Sequence, residues 1–336
     1  MKDLIEILTW CRGASTASES QFVREHIASI DGISCDGYGN YHLTIGDKPT
    51  IMWSCHTDTV TRKVGRQNVR WLGDGLLGLH NPQAGQCLGA DDGAGLWIML
   101  ELIKAKKSGH YVFHRDEEIG GQGSLWLSRD GNWSKFIPTS VKATIAMDRC
   151  GNEDIITHQM YQRTCSDAFA DSLAKQMPLG MRKDDGGVFT DTANYVDIIG
   201  ECTNLAVGYE RNHGPSETLD TNHVRRLRDA LLKLDEAKLD FSRNPGEYEY
   251  NDWGMYGGAN SYSNYGNPAF QNDDEIWNNY HGEGKDDRPL VQGTLKFEDM
   301  VNEAPDVAAR LLEELGVSPD EFRAHVYALK GRLIGA

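Results

Sequence analysis

Two adjacent glutamates, Glu117 and Glu118, lie between an apolar run and a glycine-rich turn in the segment Tyr-Val-Phe-His-Arg-Asp-Glu-Glu-Ile-Gly-Gly-Gln-Gly-Ser, residues 111–124. The apolar run is typical of a strand, so both carboxylates lie at its carboxyl end. Like charges this close raise a pKa unless a cation lies between them or one holds a proton. The pair therefore suits one carboxylate that binds a metal and a neighbour that transfers protons. A solvated acidic turn is the alternative that the pair alone leaves open.

Further acid and histidine side chains follow or precede other apolar runs. They are His56 and Asp58, the pair Asp91 and Asp92, Asp148, and His213. In open α/β sheets, ligands bind outside the carboxyl ends of the strands, so residues far apart in sequence can meet at one edge. We therefore expect these side chains to converge on one site.

This set of residues satisfies the requirements of a two-zinc site. Each zinc binds histidine nitrogen and carboxylate oxygen at roughly 2.0–2.2 Å, and two ions roughly 3.5–4 Å apart need a bridging carboxylate. The set offers two histidines, a carboxylate for each metal and one bridge, and it leaves one glutamate free to accept a proton. The chain contains no GxSxG, P-loop or HExxH motif that would indicate another chemistry.

Five motifs in a fixed order carry a family resemblance. They are His-Thr-Asp (56–58), Gly-Ala-Asp-Asp-Gly-Ala-Gly (89–95), Asp-Glu-Glu-Ile-Gly-Gly-Gln-Gly-Ser (116–124), Met-Asp (147–148) and Asn-His-Gly (212–214). Over about residues 1–240 the chain resembles the co-catalytic zinc exopeptidase superfamily. That group includes bacterial leucyl aminopeptidase, peptidase T and the glutamate carboxypeptidases.

The resemblance implies a role for each residue. One metal would be held by His56 and Asp148, the other by Glu118 and His213, with Asp91 as the bridge. Glu117 would be the general base and then the acid for a metal-bridging hydroxide. Asp58 would orient His56, and Asp92 would help to hold the bridge. The implied cofactors are two Zn²⁺, with Co²⁺ or Mn²⁺ as alternatives.

The spacing between two of these motifs indicates a branch of the family. Only 64 residues (149–212) separate Asp148 from His213, which leaves little room for the lid or dimerisation domain that carboxypeptidase members insert there. The chain is thus most similar to the single-domain aminopeptidases, with a small peptide as substrate and Asp191 near the substrate pocket. An amidohydrolase or deacylase acting on a small N-acyl or amide substrate is one alternative. A non-catalytic metal-binding or assembly protein is the other.

Charge and cysteine content restrict the partners. A net charge of −16 argues against nucleic acid and anionic membranes, both of which reward basic patches. Seven cysteines without CxxC spacing fit reduced thiols better than a disulfide framework. No apolar stretch reaches the roughly 18 residues of a membrane span. Asp3 and Glu6 interrupt the apolar positions at the start of the chain, whereas a signal peptide core is continuous, so we expect a cytoplasmic location.

Alternating helical and strand patterns predict an α/β fold, a three-layer α/β/α mixed sheet with helices on both faces. The predicted catalytic domain is 1–241, followed by a flexible linker rich in Asn, Tyr and Gly (242–290). A helical hairpin (291–336) is expected to mediate homo-oligomer or partner contacts. Helices are predicted at 1–12, 17–30, 94–106, 165–177, 189–195 and 220–239.

Overall fold

The computed structural model of the chain describes residues 1–129, 131–177 and 180–249. The predicted helical hairpin (291–336) and most of the predicted linker lie outside these residues. The strands are β1 (Trp10–Arg12), β2 (Ser34–Cys35), β3 (Tyr41–Ile45), β4 (Ile51–His56), β5 (Val64–Arg66), β6 (Val69–Gly73), β7 (Leu76–Leu79), β8 (Gly109–His114), β9 (Ala143–Arg149), β10 (Asp154–Ile156), β11 (His158–Gln159), β12 (Gln162–Arg163), β13 (Arg182–Asp184), β14 (Glu201–Ala206), β15 (Tyr209–Glu210) and β16 (Thr218–Asp220). The helices are α1 (Lys2–Leu8), α2 (Ala17–His26), α3 (Ala90–Lys104), α4 (Gln122–Ser128), α5 (Asn132–Phe136), α6 (Asp167–Ala174) and α7 (Thr221–Lys233), with 3₁₀ turns at Asp191–Tyr195 and Glu236–Lys238.

A mixed sheet of eight strands organises the domain, in the order β13-β10-β14-β9-β4-β8-β3-β2. The four central strands β14, β9, β4 and β8 are parallel to one another, whereas β3 and β10 pair antiparallel to their inner neighbours. Because parallel neighbours end at the same edge, the residues that follow these strands meet there. Helices cover both faces, so the predicted three-layer α/β/α fold is confirmed.

Strand β4 shows why this sheet needs two covering layers. All six of its residues are buried, as expected for a central strand that reads as a continuous apolar run. Ile51, Trp53 and Cys55 pack into the larger core with residues of α1 and α3. Met52 points the other way, into a smaller core with Leu127 of α4 and residues of the first 3₁₀ turn. Alternate residues therefore secure both layers.

Helix α3 packs closely against the end of β9, and Gly95 permits that approach. The backbone angles of Asp91 and Asp92 are not helical, so the regular helix begins after them. The Asp92 carboxylate accepts the backbone N–H of Gly95 at 2.9 Å, which is an N-cap contact. A Cβ at Gly95 would lie 2.5 Å from the backbone oxygen of Met147 and would also clash with Asp92 Oδ1.

We therefore expect Gly95→Ala to destabilise the protein by about 1–3 kcal/mol, because helix and strand must separate to admit the methyl group. Chemical denaturation of the metal-free protein measures this free energy of unfolding. Gly214→Ala is the matched control, since the nearest heavy atom to a Cβ there is 4.0 Å away. Equal stability of the two variants would contradict the packing argument.

Several predicted elements are corrected by the structure. The predicted helix 1–12 is wrong beyond Leu8, because Trp10–Arg12 pair with Val64–Arg66 as β1 and β5. The predicted helix 189–195 is a short 3₁₀ turn, and the predicted helix 220–239 ends at Lys233. The second sheet, β15-β16-β7-β6, has no counterpart in the sequence analysis.

The described part of the predicted linker, residues 242–249, lies against the domain. The backbone N–H groups of Ser242 and Arg243 each donate to Glu201 Oε1 at 2.8 Å. The Arg243 side chain is buried and donates to the backbone oxygen of Gly200 at 2.8 Å.

All seven cysteines are free thiols. In the described residues, every helix is too short or too polar to cross a bilayer.

Candidate metal centre

The predicted site residues lie at one edge of the parallel strands. His56 is the last residue of β4, and Asp148 lies near the end of the adjacent β9. Glu117 and Glu118 follow β8, which borders β4 on its other side. His213 lies in the loop between β15 and β16. The sheet thus brings together residues that span more than 150 positions of sequence.

Asp91 stands between the two histidines and offers one carboxylate oxygen to each. Its Oδ1 lies 3.1 Å from His56 Nε2, and its Oδ2 lies 3.1 Å from His213 Nε2. On one side, Asp148 Oδ1 lies 3.5 Å from His56 Nε2. On the other side, Glu118 Oε2 lies 3.2 Å from His213 Nε2. This is the arrangement of two His-carboxylate pairs that share a bridging carboxylate.

The second oxygen of Glu118 supports a role in binding a cation. Oε1 is buried and has no hydrogen-bond partner among the described residues. A buried carboxylate oxygen without a donor costs free energy, and such an atom requires an explanation. His56, Asp91 and Glu118 each offer one ligand atom, and these three atoms lie within 4.8 Å of one another. The donor set, two imidazoles and three carboxylates, is one that divalent zinc accepts.

The protonation equilibria show how strongly these carboxylates are crowded. Burial raises the pKa of Asp148 to about 7, and the charge of Asp91 adds to the shift. Burial also raises the pKa of Glu117 well above its usual range, and Asp148 and Glu118 reinforce the effect. Burial alone would lower the pKa of His56, but Asp148 and the other neighbouring carboxylates raise it well above its ordinary value. The centre is therefore short of positive charge, which a divalent cation would supply.

Asp58 fixes the backbone that carries the glutamate pair. Its Oδ1 and Oδ2 accept the backbone N–H groups of Glu117 and Glu118, each at 3.1 Å. The Nδ1 atom of His56 lies 3.1 Å from the backbone oxygen of Asp58 and 3.6 Å from its Oδ1. Asp58 therefore contacts the far side of the His56 ring, and it also connects the ends of β4 and β8.

Two residues that sequence reasoning missed hold the turn that carries Asp91. The buried carboxylate of Glu217 accepts the backbone N–H of Gly89 at 2.9 Å and that of Asp91 at 3.0 Å. Burial raises the pKa of Glu217 to about 7, with a further contribution from Asp91. The fully buried Arg12 donates to the backbone oxygens of Thr57 and Gly89, at 2.7 and 2.8 Å. Nothing in the local pattern around either residue marks it as functional.

We expect Glu217→Gln to weaken metal binding about 10-fold while the fold is retained. Glutamine can accept only one of the two backbone N–H groups, and its amide nitrogen would face the other donor. The Asp91 turn then loses its fixed position, and supporting contacts of this kind typically contribute 10–100-fold in metal affinity. Isothermal titration calorimetry with Zn²⁺ measures the change in metal affinity, and the surface variant Glu210→Gln is the control. Unchanged affinity in Glu217→Gln would show that Glu217 does not position the bridge.

A pocket opens directly onto this centre. Its lining residues are Asp91, Glu117, Asp148, Arg149, Cys150, Ile156, Gly186, Gly187, Val188, Phe189, Asn204, Tyr209, Asn212 and His213. Asp191 is almost fully buried, and its Oδ2 lies 3.4 Å from His114 Nδ1; its expected place near the substrate stays a prediction. Val188 and Phe189, which precede Asp191 in sequence, belong to the pocket wall.

Comparison with known proteins yields no match to a family model and no match to a curated protein. Solved structures do match. A tripeptidase from Staphylococcus aureus is 13% identical, with a TM-score of 0.59 over 70% of this chain and 97% of that chain. Aminopeptidase PepT from Bacillus cereus is 13% identical, with a TM-score of 0.55 over 69% and 95%. A TET aminopeptidase from a marine sediment archaeon of the Thaumarchaeota is 10% identical, with a TM-score of 0.51 over 70% and 98%.

These matches define the class of fold to which the chain is similar. The three structures are peptidases by name, and the match covers almost the whole of each of them and about 70% of this chain. The chain shares the fold of these three structures, which agrees with the predicted α/β fold class.

Proposed function

We propose that this protein is a metal-dependent hydrolase, an aminopeptidase that cleaves small peptides and binds two zinc ions. The observation that carries this proposal is the position of Asp91, which directs one oxygen to each of two histidines. In a dinuclear centre, the bridging carboxylate must offer one oxygen to each metal ion, and Asp91 has its two oxygens placed for this. The peptidases that share the fold support the same class of reaction.

The proposed ligands are the five residues that the fold brings together. His56 and Asp148 would hold one ion, Glu118 and His213 the other, with Asp91 shared. Two divalent ions bound there would supply the positive charge that polarises a substrate carbonyl and stabilises its developing oxyanion.

Glu117 is the residue proposed to move the proton. It lines the pocket beside Asp148 and Asp91, and burial holds its pKa high. A carboxylate of raised pKa is a better base near neutral pH, and once protonated it is an effective acid. We propose that Glu117 accepts a proton from the attacking water and returns it to the leaving amine. Asp58 holds the backbone of Glu117 in place for both steps.

The segment between Asp148 and His213 favours the aminopeptidase branch. It contributes β10, β13 and β14 to the main sheet, together with helix α6. Apart from residues 178 and 179, which the structure does not describe, this whole interval is part of the central domain. The described residues of this interval therefore supply no separate lid domain.

The test combines metal analysis with a substrate panel. The full chain is expected to bind two equivalents of zinc and to hydrolyse leucine p-nitroanilide and unblocked tripeptides. Cleavage of N-acetyl-leucine alone would support the deacylase alternative. Metal binding without turnover on any amide would support the non-catalytic alternative. A protein that neither binds zinc nor is activated by Zn²⁺, Co²⁺ or Mn²⁺ would overturn the proposal.

A further inference from the structure

One basic side chain lines the pocket next to a proposed metal ligand. Arg149 directly follows Asp148 at the end of β9, and both residues contribute to the pocket wall. It is the one lysine or arginine in that lining, which otherwise carries the carboxylates of Asp91, Glu117 and Asp148. The side chain is 20% exposed. The catalytic scheme proposed above gives this cation no role.

The guanidinium of Arg149 is held by a hydrogen bond at its Nε atom, whereas its two Nη atoms have no such bond to the described residues. Its Nε donates to Asp154 Oδ2 at 3.3 Å, and this is its one hydrogen bond to the part of the chain that the structure describes. Neither Nη atom has a hydrogen-bond partner among the described residues, so both are available to donate. An arginine fixed in this way presents two parallel N–H groups, which match the two oxygens of a carboxylate.

We propose that Arg149 binds the free C-terminal carboxylate of a dipeptide or tripeptide substrate. This inference rests on the proposed function. A carboxylate one or two residues beyond the cleaved bond lies roughly 3.5–7 Å from it, because each extended residue spans about 3.5 Å. Arg149 lines the same pocket as Asp91, Glu117 and Asp148, so a short peptide bound at the centre would extend along the wall that carries this arginine. Arg149 is thus a specificity residue that selects short peptides over long ones.

The substrate carboxylate bound by Arg149 could be the C-terminus of the peptide or an acidic side chain. Three matched substrates distinguish these two sources. They are Leu-Gly, its amide Leu-Gly-NH₂, and Leu-Asp-NH₂, whose only carboxylate is a side chain. We expect zinc-loaded wild-type protein to favour Leu-Gly over Leu-Gly-NH₂ by about 10–100-fold in kcat/KM, mainly through KM, as charged hydrogen bonds contribute at that scale. Leu-Asp-NH₂ is expected to resemble Leu-Gly-NH₂. A preference for Leu-Asp-NH₂ over Leu-Gly would overturn the assignment to the peptide terminus.

Arg149→Met should remove the preference for Leu-Gly, so that Leu-Gly and Leu-Gly-NH₂ are hydrolysed with kcat/KM values within about threefold of each other. Arg149→Lys should keep part of the preference, because it retains the charge without the planar pair of donors. Arg182→Met is the matched control, since Arg182 is exposed and pairs with Glu153 on the surface. This control should keep the full preference.

The outcomes separate this inference from the proposed function. Hydrolysis of none of the three substrates would contradict the aminopeptidase proposal itself. Equal hydrolysis of Leu-Gly and its amide by wild type would overturn the role of Arg149 and leave the peptidase proposal intact. A preference that survives in Arg149→Met would do the same. If Arg149→Met fails to fold, the preference of the wild type for Leu-Gly over its amide and the reduced preference expected of Arg149→Lys still test the role of Arg149.

Discussion

Glu117→Gln is expected to bind zinc like the wild type and to lose about 10²–10⁴-fold in kcat. Glutamine has nearly the same shape, but it cannot accept and return a proton, and general acid–base catalysis contributes on that scale. The proposed ligands are other residues, and Asp58 holds position 117 through the backbone N–H, which glutamine retains. Metal content by mass spectrometry and steady-state kinetics on leucine p-nitroanilide measure the two effects.

Glu153→Gln provides a control for Glu117→Gln, because it makes the same substitution at an exposed surface position. Its kcat and metal content should equal those of the wild type. Full turnover by metal-replete Glu117→Gln would exclude Glu117 as the base. Loss of zinc from that variant would instead show that Glu117 helps to bind the metal.

Asp91→Asn is expected to reduce the zinc content from two equivalents to one or fewer and the activity by about 10³-fold. An amide has one acceptor oxygen, so it cannot offer an oxygen to both histidines, and its NH₂ group would face one of them. Loss of one ion would remove several kcal/mol of transition-state stabilisation, and each 1.36 kcal/mol corresponds to a factor of ten. Titration calorimetry gives the stoichiometry, and kinetics give the activity.

Asp229→Asn is the charge-matched control for Asp91→Asn, since Asp229 lies on the exposed side of α7 and pairs with Arg228. It should bind two equivalents of zinc. Two tightly bound ions in Asp91→Asn would show that Asp91 does not act as a bridge. The contacts of the Asp91 oxygens with His56 and His213 would then have another cause.

The part of the centre that was predictable from sequence is the part carried by parallel strands. The runs before His56, Glu117 and Asp148 are buried on both faces, so they appear in the sequence as continuous apolar segments. Each such segment indicates a strand, and the polar residue after it indicates a position at the sheet edge. The five motifs then gave these positions an order along the chain.

The supporting residues could not be predicted, because their function arises from long-range packing. Glu217 is one acid in a polar loop, and only the fold brings it to the N–H groups of Gly89 and Asp91. Arg12 follows an apolar helical pattern, although it lies in a short strand and donates to turns 45 and 77 positions away. Strands β5 and β6 are short and largely exposed, so they carry little of the apolar pattern that identifies a strand.

The order of the motifs along the chain has a consequence for how the proposed metal centre would be filled. During synthesis from the N-terminus, four of the five proposed ligands leave the ribosome before His213 does. Strand β14, which pairs with β9 beside Asp148, also emerges after those four. A nascent chain of 200 residues therefore exposes acidic side chains that have neither their second histidine nor a completed sheet. We expect the second zinc ion to be captured only once the last third of the described domain has been translated and folded.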